Sequence, residues 1–169
     1  GIKSGENLAI IKRLHHAAYR CRDSEETRIF YEDFLGLELI NALTISGGQS
    51  SKPEVLHTFF AMRDGSCLAF FEDPKHTFDF KKQRDFDLHI ALEVDRDTLL
   101  DMRQKGLEHG IETRGVAQHG FIESIYFRDP NGYVVELSTP IEDFQLMEKS
   151  HAKAILSEWQ TNKPKSIYR

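Results

Sequence analysis

Apolar and polar residues alternate along several short stretches of the chain, and two longer stretches have apolar residues at helical spacing instead. In order, these patterns predict a strand, a helix and three strands, and then the same series a second time. The predicted segments are a strand over 14–19, a helix from Asp23 or Ser24 to Gly36, strands over 37–46, 55–63 and 66–72, a strand over 87–94, a helix from Asp95 or Asp97 to near Gly106 or Gly110, and strands over 111–116, 122–128 and 132–138. Each half of the chain is therefore predicted to be a βαβββ module.

The two halves suggest a single domain built by duplication. The chain has 169 residues, and we predict one domain over 1–169. Its predicted parts are module 1 over about 12–73, a linker over 74–86, module 2 over about 87–139 and a helical tail over 140–169. A half-sheet with one exposed face is marginally stable alone. We therefore expect an α+β fold in which the two modules pair into an open barrel around a metal-binding cavity, followed by a C-terminal helix.

The C-terminal helix is predicted over 141–160, after Pro140. Its apolar anchors recur at helical spacing, and they are Phe144, Met147, Ile155 and Trp159. This helix could cover the cavity, form a dimer contact or pack on its own domain, and the sequence leaves all three open.

Composition excludes several classes of partner. The chain has 22 basic and 27 acidic residues and a net charge of −5, which argues against a nucleic-acid partner. Its longest uninterrupted apolar run, 67–71, is too short to cross a membrane. The two cysteines, Cys21 and Cys67, form no CxxC pattern, which fits buried thiols in a reducing compartment. We expect a cytoplasmic protein that binds a small molecule.

Strand alternation predicts which side chains of module 2 face the cavity. In 87–94 the apolar residues alternate with His89, so that His89 points away from the helix-packed face. In 132–138 the same alternation separates Glu136 from Tyr133, Val135 and Leu137, and in 122–128 it separates Tyr126 from the apolar set. A histidine, a glutamate and a tyrosine are therefore predicted to converge on one concave surface.

Module 1 has two adjacent histidines, His15 and His16, and strand alternation allows only one of them to face the cavity. His16 lies eight residues before Ser24, as His89 lies eight residues before Asp97, so repeat symmetry favours His16 as the inward residue. His15 then becomes a packing or supporting residue. A β-bulge in this strand would reverse the assignment.

The two halves differ at one chemically important place. In each half a strand follows a tight turn that contains a glycine, Gly65 or Gly132. Four residues after this glycine, the first half has Ala69 and the second half has Glu136. Taken singly, a strand histidine or glutamate is usually a solvated or hydrogen-bonded residue. Their equivalent placement in a duplicated unit instead favours three metal ligands, His16, His89 and Glu136. Three protein ligands with open positions are typical of a catalytic metal site.

Four segments resemble the vicinal-oxygen-chelate superfamily of glyoxalase I, extradiol dioxygenases, fosfomycin-resistance proteins and bleomycin-binding proteins. These segments are Leu14-His15-His16-Ala17-Ala18, Phe30-Tyr31-Glu32-Asp33-Phe34-Leu35-Gly36-Leu37, His89-Ile90-Ala91-Leu92-Glu93-Val94 and Asp129-Pro130-Asn131-Gly132-Tyr133-Val134-Val135-Glu136-Leu137. The resemblance covers both modules in order, over roughly 12–139. It implies that the residues matching His16, His89 and Glu136 are metal ligands.

Departures from individual branches narrow the choice within the superfamily. The additional carboxylate of glyoxalase I corresponds to Ala69 here, and bleomycin-binding members lack the metal triad. Fosfomycin-modifying members keep two histidines and a glutamate. Extradiol dioxygenases use the same triad with a further histidine and tyrosine, which the resemblance places at His119 and Tyr126. The alternatives are an exposed loop histidine at His119 and a hydrogen-bonded core tyrosine at Tyr126.

These features favour a metal-dependent dioxygenase of the extradiol type, most like a small single-domain member, with Fe(II) as first candidate and Mn(II) as second. Ni(II) and Zn(II) are further candidates. A Lewis-acid transferase or isomerase and a non-catalytic binding module for a small ligand are the alternatives. A catechol or similar vicinal diol would be the substrate of the dioxygenase. We also expect a homodimer, because the resemblance implies sites built or sealed across a subunit interface.

Overall fold

A computed structural model describes residues 9–49, 51–141 and 149–168. Within these residues, three helices and eight strands follow one another in the predicted order. The elements are β1 His16–Arg20, α1 Ser24–Arg28 with a π-helical continuation Ile29–Phe34, β2 Glu38–Ser46, β3 Pro53–Ala61, β4 Cys67–Glu72, β5 His89–Glu93, α2 Arg96–Glu108, β6 Thr113–Gln118, β7 Ile122–Arg128, β8 Val134–Pro140 and α3 Lys149–Asn162. The α+β class, the two βαβββ modules and the C-terminal helix are confirmed.

The two sheets have the same topology. In the first the strand order is β1-β4-β3-β2, and in the second it is β5-β8-β7-β6. In each sheet the first strand of the module pairs in parallel with the last, and the other neighbours are antiparallel. The parallel pair places the histidine strand of each module beside the strand that carries Ala69 or Glu136.

The first helix is π-helical in its second part, which the sequence did not predict. Asp23 caps α1 by accepting a hydrogen bond from the Glu26 backbone N–H, but from Ile29 the backbone continues as a π-helix to Phe34. Three of its side chains, Phe30, Tyr31 and Phe34, are buried in the core. One short segment thus places three aromatic rings in the core. Gly36 has a φ of 82°, which suits the chain reversal into β2.

The helix-bearing faces of both sheets share one hydrophobic core. Phe60 and Phe70 of the first sheet pack around Tyr31, whose ring centre lies 5.9 and 4.7 Å from theirs. Phe34, on the same π-helical segment, lies 5.1 Å from Phe127 of the second sheet. The π-helical segment therefore connects the helix-bearing faces of the two modules.

The linker attaches to module 2. The Gln83 backbone N–H donates to the Gly132 carbonyl at 3.0 Å, and the Arg128 side chain donates to the carbonyls of Gln83 and Gly132, both at 2.9 Å. Gly132 has a φ of 98°, and a Cβ at this position would lie 2.4 Å from the Lys81 carbonyl oxygen. Only glycine therefore allows the linker to approach the turn before β8 this closely.

Residues 11–141 form one compact unit that contains both modules, and the described parts of 1–10 and 142–169 belong to a second unit that contains α3. Of the predicted anchors of the C-terminal helix, Ile155 and Trp159 lie on α3, whereas Phe144 and Met147 lie outside the described residues. Among the described residues, no helix is both long enough and apolar enough to cross a membrane.

Candidate metal centre

The duplicated modules place their candidate ligands at equivalent positions. In the first module His16 lies opposite Cys67 and Ala18 lies opposite Ala69. In the second, His89 lies opposite Val134 and Ala91 lies opposite Glu136. Ala69 and Glu136 therefore occupy the same place relative to the histidine of their own module. Ala69 is fully buried and has no side chain that could bind a metal.

The outer face of the second sheet, opposite its helix, carries the polar side chains of the site. In β5, His89, Ala91 and Glu93 are exposed, whereas Ile90 is buried in the core. Glu136 of β8 lies directly opposite Tyr126 of β7, and both side chains are partly buried. Strand alternation thus places His89, Glu136 and Tyr126 on one face.

Tyr126 is hydrogen-bonded to His119 and lies beside Glu136. Its hydroxyl is 3.0 Å from Nε2 of His119, and Glu136 lies directly opposite Tyr126 on the neighbouring strand. Which of the two groups donates in the His119–Tyr126 hydrogen bond depends on the His119 tautomer. Burial raises the pKa of Tyr126 to about 12, and the neighbouring Glu136 carboxylate adds to the effect. The phenol therefore keeps its proton near neutral pH.

His89 is held in the form that binds a metal. Its Nδ1 lies 2.6 Å from the backbone carbonyl oxygen of Asp85. A carbonyl oxygen only accepts hydrogen bonds, so Nδ1 must carry the hydrogen, and in the neutral ring Nε2 keeps its lone pair. Metal-binding histidines commonly use this arrangement, with one ring nitrogen donating to a carbonyl or carboxylate and the other binding the metal.

The outer face of the first sheet carries His16 within an aromatic cluster. The His16 ring lies 5.6 Å from Phe59 and 6.4 Å from His57, measured between ring centres. His57 stacks on Phe71 at 3.7 Å, and its Nδ1 lies 3.1 Å from the Phe70 carbonyl oxygen. Two histidines, His16 and His57, thus lie beside phenylalanine rings on this face.

His15 lies just before β1. Its Nδ1 is 2.8 Å from Nδ1 of His16, and its carbonyl accepts a hydrogen bond from the Cys67 backbone N–H at 3.0 Å. His15 therefore contacts the candidate ligand, while His16 is the one of the pair with ring contacts to His57 and Phe59.

A single chain does not bring the three candidate ligands together. Among residues 9–49, 51–141 and 149–168, no three histidine, cysteine, aspartate or glutamate side chains lie close enough to hold a metal ion. The physical reason lies in the core. Because the helix-bearing faces of both sheets pack into it, the outer face with His16 and the outer face with His89 and Glu136 lie on separate sides.

The chemistry of the donors nevertheless fits a divalent cation. His89 offers an unprotonated Nε2, and Glu136, on the neighbouring strand and the same face, offers a partly exposed carboxylate. A second imidazole at His16 would complete two nitrogens and one carboxylate. This set is the one that non-haem Fe(II) sites use, with positions left open for substrate.

Two residues around this face were not found by sequence analysis. Asp85, from the linker, forms a two-pronged ion pair with Arg114 of β6, with distances of 2.7 and 3.0 Å. The Arg114 guanidinium carbon lies 4.9 Å from the centre of the Tyr126 ring. Strand alternation could have placed Arg114 beside Tyr126, but no local signal connects either residue with Asp85.

A cleft of about 520 Å³ lies beside this ion pair. Six of its lining residues are charged, four of them basic. The lining consists of Lys82, Gln83, Arg84, Asp85, Phe86, Glu112, Arg114 and Arg128. Arg128 lies opposite Val134, the strand neighbour of His89, so the cleft adjoins the His89 end of the polar face.

Comparison with known proteins supports the assignment of the fold. Two solved structures are similar to this chain at low identity. A glyoxalase/dioxygenase from Nostoc punctiforme is 22% identical, with a TM-score of 0.63 over 84% of this chain and 100% of that one. The fosfomycin resistance protein FosX from Listeria monocytogenes is 20% identical, with a TM-score of 0.57 over 77% of this chain and 94% of that one.

At the level of sequence, no curated protein matches the chain. The family model of the Glyoxalase/Bleomycin resistance protein/Dioxygenase superfamily matches residues 13–137. This match spans both βαβββ modules and includes all three candidate ligands. The chain therefore belongs to the glyoxalase/bleomycin resistance protein/dioxygenase superfamily.

Proposed function

We propose that the protein is a metal-dependent dioxygenase of the extradiol type, which cleaves a catechol or similar vicinal diol with O₂. His16, His89 and Glu136 would hold the metal, with Fe(II) as first candidate and Mn(II) as second. The observation that carries this proposal is the outer face of module 2. There, a histidine with a free Nε2 and a carboxylate lie beside a tyrosine and histidine that are hydrogen-bonded to each other.

We further propose that the site forms between two copies of the chain. One copy would supply His89 and Glu136, and the second would supply His16 from the outer face of its first sheet. The separation of these two faces within one chain supports this arrangement. A two-fold symmetric dimer would contain two such sites, because each copy contributes its first sheet to one site and its second sheet to the other.

In this dimer the polar and aromatic faces would enclose the substrate from opposite sides. Phe59 and the His57–Phe71 stack would contact the ring of an aromatic diol, and Tyr126 would hydrogen-bond to one of its oxygens. When bound, Fe(II) would act as a Lewis acid on the diol oxygens and as the centre that accepts O₂.

Proton transfer is the remaining role for the residues of this chain. His119 Nε2 lies one hydrogen bond from the Tyr126 hydroxyl, and His119 is exposed. An imidazole can both accept and donate a proton, so His119 would take up the diol proton and return it later in the reaction. Tyr126, which keeps its proton, would act as hydrogen-bond donor and hold the substrate oxygen in place.

The second candidate function is a Lewis-acid transferase or isomerase with the same ligands. The basic residues of the cleft beside His89 favour an anionic substrate for such an enzyme. A variant of FosX, a similar structure, has been solved in complex with Mn(II) and 1S,2S-dihydroxypropylphosphonic acid. A non-catalytic module for a small ligand would use the same faces without turnover.

Metal content and O₂ uptake separate these functions. Anaerobically purified protein should contain about one Fe or Mn per chain, and Fe(II)-loaded protein should consume O₂ with a panel of catechols. Glu136→Ala should abolish both properties, whereas Glu93→Ala, a matched change on the same face, should leave them intact. Bound metal with turnover that needs no O₂ would favour the Lewis-acid enzyme. Absence of stoichiometric metal would refute the triad.

Mixing of variants tests whether two copies share the site. His16→Ala and Glu136→Ala would each be inactive alone. In co-expressed protein, mixed dimers would contain one intact site, and activity should recover to about a quarter of the wild-type value if the chains pair at random. A site contained within one chain would give no recovery.

A further inference from the structure

We infer that Asp85 and Arg114 are positioning residues that hold His89 and Tyr126 in their working orientations. This inference rests on the proposed function, because it assigns a role around the same metal site. It starts from the contacts by which Asp85 and Arg114 connect the linker with β5, β6 and β7.

Asp85 connects to His89 through its backbone and to Arg114 through its side chain. The carbonyl oxygen accepts the His89 Nδ1 hydrogen at 2.6 Å, and the carboxylate accepts two hydrogen bonds from Arg114. A charged, two-pronged pair restricts both partners to one geometry, and it therefore restrains the carbonyl that orients His89.

Arg114 continues the connection to Tyr126. The two residues lie opposite each other in β6 and β7, and the guanidinium carbon is 4.9 Å from the centre of the Tyr126 ring. A cation over a tyrosine ring at this distance is attracted by the ring electrons and limits rotation of the ring. The restrained ring carries the hydroxyl that is hydrogen-bonded to His119, and Glu136 lies opposite it on the neighbouring strand.

One ion pair thus restrains a nitrogen ligand and a substrate-binding phenol at the same time. The partners of metal ligands fix ring orientation and tautomer, and their loss commonly reduces metal affinity or activity by about 10- to 100-fold. Asp85 lies in the linker. The linker therefore joins the modules and also determines which nitrogen of His89 is available to the metal.

The test measures the His89 tautomer in metal-free protein and, separately, the affinity for Mn(II). Long-range ¹H–¹⁵N NMR on neutral imidazoles distinguishes a protonated Nδ1 from a protonated Nε2. Asp85→Asn and Arg114→Gln should convert the single Nδ1–H form of His89 into a mixture. They should also raise the Mn(II) dissociation constant, measured by electron paramagnetic resonance, by about 10- to 100-fold.

Two further variants make the test specific. Arg114→Lys keeps the positive charge over the Tyr126 ring but loses the two-pronged geometry, so it should restore part of the affinity. Arg84→Gln removes a neighbouring ion pair, between Arg84 and Asp87, and should leave the His89 tautomer and the Mn(II) affinity as in wild type. If Arg114→Gln fails to fold, Asp85→Asn and Arg114→Lys carry the test.

The inference is overturned if folded Asp85→Asn and Arg114→Gln retain the wild-type tautomer. It is overturned equally if Mn(II) binding weakens while the His89 signal stays unchanged, because the loss would then not act through His89. A wild-type protein that binds no Mn(II) or Fe(II) would refute the proposed function instead. In that case the NMR measurement would still decide whether the ion pair orients His89.

Discussion

The Tyr31 hydroxyl, in the π-helical segment of module 1, donates a 2.7 Å hydrogen bond to Oδ2 of Asp129, in the turn before the last strand of module 2. Both side chains are buried. The other carboxylate oxygen, Oδ1, accepts from the backbone N–H groups of Asn131 and Tyr133, both at 2.8 Å. This bond therefore joins one module to the turn that leads into the Glu136 strand of the other.

Removal of the Tyr31 hydroxyl should destabilise the protein. Tyr31→Phe keeps the ring in the core but takes the strongest side-chain donor from a buried carboxylate, which should cost about 1–3 kcal/mol in the free energy of unfolding. Urea unfolding measures the change. Tyr168→Phe, at a tyrosine that is 83% exposed, is the matched control and should stay within about 0.5 kcal/mol of wild type. Equal stabilities of Tyr31→Phe and the control would show that the bond between modules contributes nothing.

Asp129 should give the stability a distinctive dependence on pH. Burial raises the pKa of Asp129 above the ordinary aspartate value, although hydrogen bonds from Tyr31, Asn131 and Tyr133 oppose the effect. A raised pKa means that the folded state binds this proton more tightly than the unfolded state. The contribution of Asp129 to stability is therefore largest below about pH 4, the unfolded value, and falls as pH rises through the folded pKa.

Comparison with Asp129→Asn isolates this contribution from those of the exposed carboxylates. Unfolding free energies of wild type and variant are measured from acid to neutral pH. The difference, wild type minus variant, should decrease as pH rises across that window and stay constant above it. A difference that increases with pH would mean that hydrogen bonding outweighs burial and that the folded pKa is lowered.

The pKa of Tyr126 in metal-free protein should depend on the negative charge of Glu136. Burial is the largest reason that the pKa of Tyr126 is raised to about 12, and the neighbouring Glu136 carboxylate is the next largest. Glu136→Gln removes the negative charge, so the pKa of Tyr126 should fall towards 10. Spectrophotometric titration of the phenolate measures it. Tyr133, whose pKa is also raised to about 12 but by burial and Asp129, is the internal control and should not change. An unchanged Tyr126 would argue that Glu136 does not interact with it.

Two adjacent phenylalanines of β3 should have separable effects on substrate binding and stability. Phe59 is partly exposed on the outer face beside His16, whereas Phe60 is fully buried in the core. Phe59→Leu should raise KM for a catechol roughly 2- to 10-fold, the equivalent of one lost aromatic contact, with little change in kcat. Phe60→Leu should lower the Tm and leave KM unchanged. An effect of Phe60→Leu on KM that matched Phe59→Leu would argue against an aromatic wall at the site.

Local patterns predicted the elements and much of the polar face. The bounds of β7, Ile122–Arg128, agree with the predicted strand, and His89, Glu136 and Tyr126 lie on one face as alternation indicated. The duplication placed Ala69 and Glu136 at equivalent positions in their modules. These features could be predicted because a strand repeats every two residues, so that the side on which a residue lies follows from its neighbours.

Other features depended on contacts between distant segments. The pairs Phe59–Phe60 and Phe70–Phe71 each place one ring in the core and one outside, but only helix packing determines which one. Asp85 and Arg114 are 29 residues apart, and their ion pair depends on the path of an irregular linker. The π-helical form of Ile29–Phe34 was not predicted, because apolar spacing does not distinguish α-helical from π-helical turns.

The sequence by itself determined the two βαβββ modules, the family and the side of each strand on which the candidate ligands lie. Only the tertiary structure decided that His16 is separated from His89 and Glu136 in one chain. The reason is that periodicity describes each sheet alone, whereas the relative placement of two sheets depends on which faces exclude water together. Here the π-helical segment packs between their helix-bearing faces, so the faces that carry the candidate ligands lie outside the shared core.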